Sequence, residues 1–529
     1  MSVIDYIWLG VLAVFQGPEV FAIFGLPISI TLVMVFFGFI FGIAVGATPG
    51  LAGPFAMAIS LPILISVFGF TQDALLPVLG FLIGIMKGAT IGGAVPAILF
   101  NTPGTPDAFL TTLDGYPMAQ KGQAKKALRV AHLSSASGDT FSDIVLFVCA
   151  PFLAIVVESY LDLPEKTALL ILSLSFIAAV IGGSPGKGLI SIGLGLMAVY
   201  VGTGEDFYPR LSLGSNELAR GFPITTAVLG VLIIGAVFKG LDEIWRTGPQ
   251  KAKAQTITAE GDQRLRWPEI KSILPHIGKS ALIGTAIGAL PGIGSTLAAT
   301  LGYTVGRRRH QKFKKPNEGD FGSGVPAGIA ATEAANSSVS GANLIPVLSL
   351  GIPGNAAAVF LILATDSIGG LNPGPSVFKF TETSVNTELV AVFGLFTCMT
   401  LANLFNWTIG GVFMRSMGFM IRIPKQLLLP SVLLLTLTAI YVQETRIEAI
   451  WFALGFGVLG YIMRLLAISP LPFVVAFILG KTLEETARQA YSATGNDPFY
   501  LFNHPIAAVF MAMSLGVIIY SSRKTKDRA

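Results

Sequence analysis

Apolar runs of about 20 residues recur along the whole chain, the length a helix needs to cross a hydrocarbon core of ~30 Å. An all-α polytopic membrane protein is the fold class this pattern demands. With 529 residues, only 12% of them charged, and a mean hydropathy of +0.71, little of the chain is left for a soluble domain. The net charge of +5 suits Lys and Arg gathered in cytoplasmic loops. No basic stripe marks a nucleic-acid surface. Cys149 and Cys398 lie in apolar runs, so they read as small buried residues and not as a disulfide framework. The N-terminus has no basic n-region and carries Asp5, which argues against a cleaved signal peptide.

Charge sets the topology, because Lys/Arg-rich loops mark the cytoplasmic side. Such loops are expected at 121–129, 239–279, 307–315 and 415–425, with the tail from Arg523 also cytoplasmic. Acidic loops at 162–165, 205–206, 444–448 and 484–485 fall between them. Four spans near 140–158, 165–182, 186–203 and 223–239 then join two cytoplasmic loops, as an even number must. The expected divisions are an apolar or interfacial N-terminal helix (1–18), a first transmembrane repeat (19–240) and a cytoplasmic loop (241–278). A second repeat core with hairpins (279–425) and C-terminal helices with a basic tail (426–529) complete them.

One run departs from a simple crossing. Lys279 and Arg307 both belong to cytoplasmic loops, so 280–305 must enter and leave on one face. Its arms, 280–290 and 293–305, are each too short to span at ~1.5 Å per residue. A re-entrant hairpin with Pro291-Gly292 at its tip is expected, since Pro lacks an N–H and Gly tolerates a tight reversal. Open backbone at membrane depth survives only inside protein or beside a wet cavity, so the tip should line one.

The break recurs. Gly46-Ala-Thr-Pro-Gly-Leu echoes Gly288-Ala-Leu-Pro-Gly-Ile, with Pro49 and Pro291 standing 242 residues apart. Pro96-Ala-Ile-Leu-Phe-Asn-Thr-Pro-Gly-Thr105 echoes Pro346-Val-Leu-Ser-Leu-Gly-Ile-Pro-Gly-Asn355 at an offset of 250. No Lys or Arg precedes Lys87, so the first hairpin opens away from the cytoplasm while the second opens toward it. Matched segments of opposite orientation make an inverted-topology repeat with broken helices, a recurring plan of secondary transporters. Helix N-termini after each Pro-Gly offer unpaired N–H groups to an anion, and freed carbonyls before each tip offer oxygens to a small cation. The plain alternative is that each Pro-Gly only kinks a helix for packing.

The tip residues expected at the site are Thr48, Pro49, Gly50, Asn101, Thr102, Pro103, Gly104, Thr105, Pro291, Gly292, Gly294, Ser295, Pro353, Gly354 and Asn355. The polar segment before the last tip adds Asn336, Ser337, Ser338, Ser340 and Asn343. These either hold a carboxylate-bearing solute or coupling ion, or hydrogen-bond neighbouring helices. Lys87 sits centrally in 74–100, where a cation is costly. It binds solute, stands where a coupling cation would sit, or pairs with an acid such as Asp366. Asp366 and Glu333 are themselves ion-site or loop candidates. The four histidines, His132, His276, His310 and His504, lack metal spacing and read as surface residues, so no metal beyond Na⁺ is expected. An intramembrane enzyme would need a clustered His/Asp/Glu or Ser/Lys constellation, and none is visible beyond isolated Lys87, Asp366 and Glu333.

Four segments together resemble the large membrane subunit of the tripartite tricarboxylate transporters (the TctA family). They are GATPGLAGPFAMAISLP (46–62), PAILFNTPGTPDAFLTTLDGYPMAQKGQAKKAL (96–128), GALPGIGSTLAATLGY (288–303) and EAANSSVSGANLIPVLSLGIPGNAAAVF (333–360). The resemblance implies a bacterial inner-membrane transporter with a cytoplasmic C-terminus. Its partners would be a small TctB-like membrane subunit and a periplasmic TctC-like solute-binding protein. It would import carboxylates such as citrate on a Na⁺ or H⁺ gradient, with no cofactor besides the coupling cation. The lack of a GxxxxGK[ST] loop agrees. A stand-alone channel or exporter of the same fold is the alternative. This chain departs from the family where an Asn-Asn pair is usual, having Asn336-Ser337. It also departs at Met86, Lys87 and Thr90, and at Asp366.

Overall fold

A computed structural model of the chain describes residues 2–23, 26–48, 51–181, 184–203, 208–212, 214–247, 262–290, 294–314, 318–379, 385–417 and 425–526. Packing divides the chain into two units. One comprises Met1–Ala154, Lys251–Leu290 and Gly294–Pro424; the other is chiefly Ile155–Gln250 and Lys425–Ala529. The boundary expected at 240/241 thus falls inside the second unit. Seven helices among the described residues are long and apolar enough to cross a membrane, at 72–100, 111–156, 224–246, 387–416, 426–444, 447–465 and 505–523.

In the first unit, α1 (Val3–Phe15) is followed by a short antiparallel ribbon, Glu19–Ile23 with Leu26–Ser29. Next come α2 (Ile30–Gly46), α3 (Gly53–Phe68), α4 (Leu75–Gly92) and α5 (Ala94–Phe100). The Ser29 hydroxyl caps α2, accepting from the Leu32 N–H, and Pro54 opens α3 where a missing N–H costs nothing. After α6 (Thr111–Met118) the 37-residue α7 (Ala124–Tyr160) begins. Lys125, Lys126 and Arg129, expected in a loop at 121–129, therefore lie on its first turns. A tight bend at Gly122, with φ +76°, precedes them.

The hairpin is longer than the apolar pattern implied. Its arms are α8 (Trp267–Gly288) and α9 (Gly294–Phe313), 22 and 20 residues, or about 33 and 30 Å at the α-helical rise. The expectation that neither arm could span counted only the apolar portions. Polar turns at 267–279 and 307–313 continue both helices, so the cytoplasmic loop expected at 241–278 is helical from Trp267. The arms pack on each other and on α10 (Pro326–Ala342). Then follow α11 (Leu344–Leu350), α12 (Ala356–Ile368) and α13 (Thr387–Phe405), the last two capped by the side chains of Asn355 and Asn386.

The second unit holds helices at 163–181, 185–199, 224–247, 425–444, 447–465, 471–493 and 505–526. Within it a π-turn at Gly230–Ile234 frees carbonyls. The Arg464 guanidinium donates to two of them, Val231 O and Leu232 O, each at 2.8 Å.

Candidate functional site

Small residues set the two tightest helix pairs of the first unit. Gly38, Gly42 and Gly46 on α2 face Gly84, Gly88 and Gly92 on α4, each row spaced by four. A methyl at Gly42 would stand 2.5 Å from Ile85 O, and one at Gly46 would stand 2.3 Å from Ala89 O. The α8–α10 pair repeats this. A methyl at Gly284 would stand 2.2 Å from Ala335 O, and Gly288 lies against Val339. Adding 242 to Gly42 and Gly46 gives Gly284 and Gly288, and adding 250 to Ile85 and Ala89 gives Ala335 and Val339, while Gly38, Gly84, Gly88 and Gly92 correspond to Ser280, Ala334, Ser338 and Ala342.

Each inner helix is then interrupted alike at one residue that keeps α-helical dihedrals. Gly93 (φ −60°, ψ −26°) separates α4 from α5, and Asn343 (φ −60°, ψ −24°) separates α10 from α11. The short segments end in left-handed residues, Asn101 at φ +52° and Gly351 at φ +71°, types that tolerate this region. Matching bonds close both ends: Thr102 N–H to Pro96 O at 3.2 Å, and Ile352 N–H to Pro346 O at 3.1 Å.

The expected tip residues divide by role. Pro49, Gly50, Pro291 and Gly292 lie outside the described residues. Buried Thr48 donates its hydroxyl to Ala44 O at 3.0 Å. Asn101 and Thr102 are exposed, Pro103 half-buried, and Gly104 and Thr105 buried. A methyl at Gly104 would stand 2.3 Å from Gly46 O, so the chain at Gly104 packs directly on the end of α2. Downstream, Gly294 (φ +72°) and Ser295 are half-buried, and neighbouring Thr296 donates its hydroxyl to Asp107. Pro353 and Gly354 are buried, and half-buried Asn355 caps α12.

Asn343 is the polar residue at the second break. It is buried, its amide oxygen and nitrogen both lack partners among the described residues, and a methyl at Gly354 would stand 2.6 Å from its Oδ1. Buried polar groups are normally satisfied, so an amide left open beside Gly354 is an exception. Ser337 Oγ is likewise unpartnered, one residue from buried Asn336. Ser338 is not open: it donates to Ala334 O at 2.6 Å and approaches Gly138 O at 3.0 Å, which is helix-to-helix bonding.

Lys87 does not pair with Asp366, which is exposed on α12. Its ammonium donates to Asp139 Oδ1 at 2.8 Å and Asp143 Oδ2 at 2.7 Å, both on α7. Asn403 of α13 completes the group, donating to Asp143 Oδ2 at 2.7 Å. Glu333 is buried on α10, accepting from the Thr111 and Ser135 hydroxyls, so it is neither a loop residue nor isolated.

Comparison with known proteins is decisive here. Residues 32–475 match the tripartite tricarboxylate transporter TctA family. The chain belongs to this family. It is 30% identical over 512 residues to an uncharacterized 52.8 kDa protein in the TAR-I ttuC' 3' region of Agrobacterium vitis, covering 94% of this chain and 95% of that one. A second Agrobacterium vitis protein, uncharacterized and in the TAR-II ttuC' 3' region, is 28% identical over 240 residues, which is 45% of this chain and 92% of the relative. No solved structure matches. The chain is thus a multi-pass membrane protein, the large subunit of a tripartite tricarboxylate transporter.

In this TctA chain the Leu-Asp-Gly-Tyr-Pro run (113–117) has a structural office. Buried Asp114 Oδ1 accepts the N–H groups of Gly322, Gly324 and Val325 at 2.9, 3.0 and 2.9 Å, while Oδ2 accepts the Tyr303 hydroxyl at 3.0 Å. That carboxylate staples the loop leading into α10. On the same loop Lys314 donates to Asp320 at 2.7 Å and holds its carboxyl below the usual range. The histidines expected at the surface are partly misjudged: His276 and His310 are buried around Phe321, His310 Nε2 lying 2.8 Å from Gly319 O. Half-buried His132 contacts Asn406 O at 2.9 Å. Asp139 and Asp143 were missed as the partners of Lys87. A mid-membrane lysine demands an acid, and the polar run Ser134–Asp143 was the available signal.

Proposed function

We propose that this subunit is the translocating part of a binding-protein-dependent secondary transporter importing tricarboxylates or related carboxylates on a Na⁺ or H⁺ gradient. Its two matched segments are inverted halves, and substrate lies where their helix breaks converge. The observation that carries the reading is the unpartnered Asn343 amide at a break whose backbone is duplicated 250 residues earlier. An amide N–H donates to a carboxylate, and half-helix ends supply further donors without adding charge. A small TctB-like subunit and a periplasmic TctC-like protein deliver the solute, in a bacterial inner membrane with the C-terminus cytoplasmic. Membership of a family named for the tripartite system supports these partners.

The test is uptake of radiolabelled citrate into proteoliposomes holding this chain, its small subunit and its binding protein under an imposed Na⁺ or proton gradient. Gradient-dependent accumulation that vanishes without the binding protein is expected. No carboxylate movement, across a panel of di- and tricarboxylates, sinks the proposal. Movement that ignores the binding protein marks a stand-alone channel or exporter instead.

A further inference from the structure

The cluster around Lys87 sets one ammonium against two carboxylates in a dry place: Lys87, Asp139 and Asp143 are 0, 3 and 1% exposed. Three helices besides that of Lys87 enclose it. Titratable groups facing it are few. Asp139 shares α7 with Asp143, α10 offers the Ser340 hydroxyl to Asp139 Oδ1, and α13 offers Asn403. Glu333 of α10 is engaged with Ser135, one turn before Asp139, and His132 lies three turns before Asp143 against Asn406 O. Neither reaches the cluster. Asp143 Oδ2 takes the bonds from Lys87 and Asn403, while its Oδ1 has no donor among the described residues.

Two carboxylates and one ammonium leave a net charge of −1, and an uncompensated buried charge is strongly disfavoured. One more positive charge is needed, either a free cation or a proton. The place a free cation would take, between oxygens from α7 and α13, is filled by Lys87 Nζ, with Asn403 Oδ1 at 3.5 Å as its third neighbour. The open oxygen is walled by backbone: a methyl at Gly341 would stand 2.2 Å from Asp143 Oδ1. A proton fits there and a metal ion does not.

We infer that Asp143 is the proton-carrying group of this transporter and that Lys87 occupies the seat of a free coupling cation, so the gradient used is one of protons. This rests on the ion-gradient reading above and chooses between its two branches. In the step, a proton from water on one side forms an O–H bond at Asp143 Oδ1, and breaking that bond returns it to water on the other side. Protonation weakens the hold of Asp143 on Lys87, leaving Asp139 as the ammonium's charged partner, and so alters the tie between α4 and α7 with each cycle.

Two binding measurements on the purified full chain, neither needing substrate, test this. Infrared difference spectra between acid and alkaline pH should show a titrating buried carboxyl band in the wild type that is lost in the isosteric variant Asp143→Asn. Saturable binding of radiolabelled Na⁺ should be absent from the wild type and from Lys87→Arg, yet appear in Lys87→Ala, where the seat is vacated. An identical band in Asp143→Asn, or saturable Na⁺ binding by the wild type, overturns the inference. A folded Lys87→Ala that binds no Na⁺ overturns the role given to Lys87. Failure of citrate uptake while these results hold refutes the transport reading alone.

Discussion

The two breaks of the first unit share a backbone and differ in chemistry. Gly93 and Asn343 adopt the same dihedrals 250 residues apart, and the helices before them meet their partners at matching glycines. Yet the first half places Lys87 where the second places Ser337, and glycine where the second places an open amide. In the first half the side-chain space at Gly93 is taken by Thr105, whose Oγ1 would lie 2.9 Å from a methyl there. The lesson is that close helix approach constrains only the small residues of the contact. Side chains elsewhere on the same helices differ, an ammonium at position 87 standing where position 337 has a hydroxyl.

That contrast can be broken most severely where both halves are alike. Gly284→Leu drives a side chain into Ala335 O, and Gly42→Leu into Ile85 O. Each should lower stability by about 3 kcal/mol or prevent folding, by overpacking, read as a lost or lowered detergent melting transition. Normal melting in either would show the approach is not obligatory. Next in size, Asp114→Ala should cost about 3 kcal/mol, because three buried N–H groups and a tyrosine hydroxyl lose their acceptor. Limited proteolysis at 318–325 should rise with it; an unchanged digest would deny the staple.

The next changes separate the halves. Asn343→Ala removes no hydrogen bond among the described residues, so stability should stay within about 1 kcal/mol. The KM for citrate uptake should nevertheless rise about tenfold. A destabilised variant with unaltered KM would make Asn343 a packing residue. Ser337→Ala should move stability by less than about 0.5 kcal/mol and uptake little, since a hydroxyl alone adds one weak contact. Smallest of all, Asp366→Asn should leave uptake and its pH profile as in the wild type, because Asp366 is exposed and apart from Lys87. A shifted pH profile would restore it as a charge partner.

The Pro-Gly pairs and their spacing were legible in the chain because they are local signals. The echo of Pro96–Thr105 in Pro346–Asn355 marked two alike segments, and in each a short helix ends in a left-handed residue just before the Pro-Gly, at Asn101 and Gly351. Less legible were the partners of charged residues. Lys87 was recognised as costly, but Asp139 and Asp143 lie 52 and 56 residues away on a helix whose start was read as a basic loop. Hairpin length misled for a related reason: hydropathy ends where charge begins, whereas α8 and α9 continue as helices through Lys271, His276 and Arg307–Arg309.

By itself the sequence determined that this chain is a bundle of membrane helices and that Pro103-Gly104 and Pro353-Gly354 stand between helices. These follow from the cost of exposing backbone in lipid and from the dihedral limits of two residue types, both properties of short segments. Which polar groups meet was decided only by the tertiary structure. Asp114 found the N–H groups of a loop more than 200 residues away, Lys87 found α7, and Asn343 found no partner among the described residues. Those outcomes depend on helices brought within a few ångströms by glycine contacts, and no local pattern encodes such a meeting.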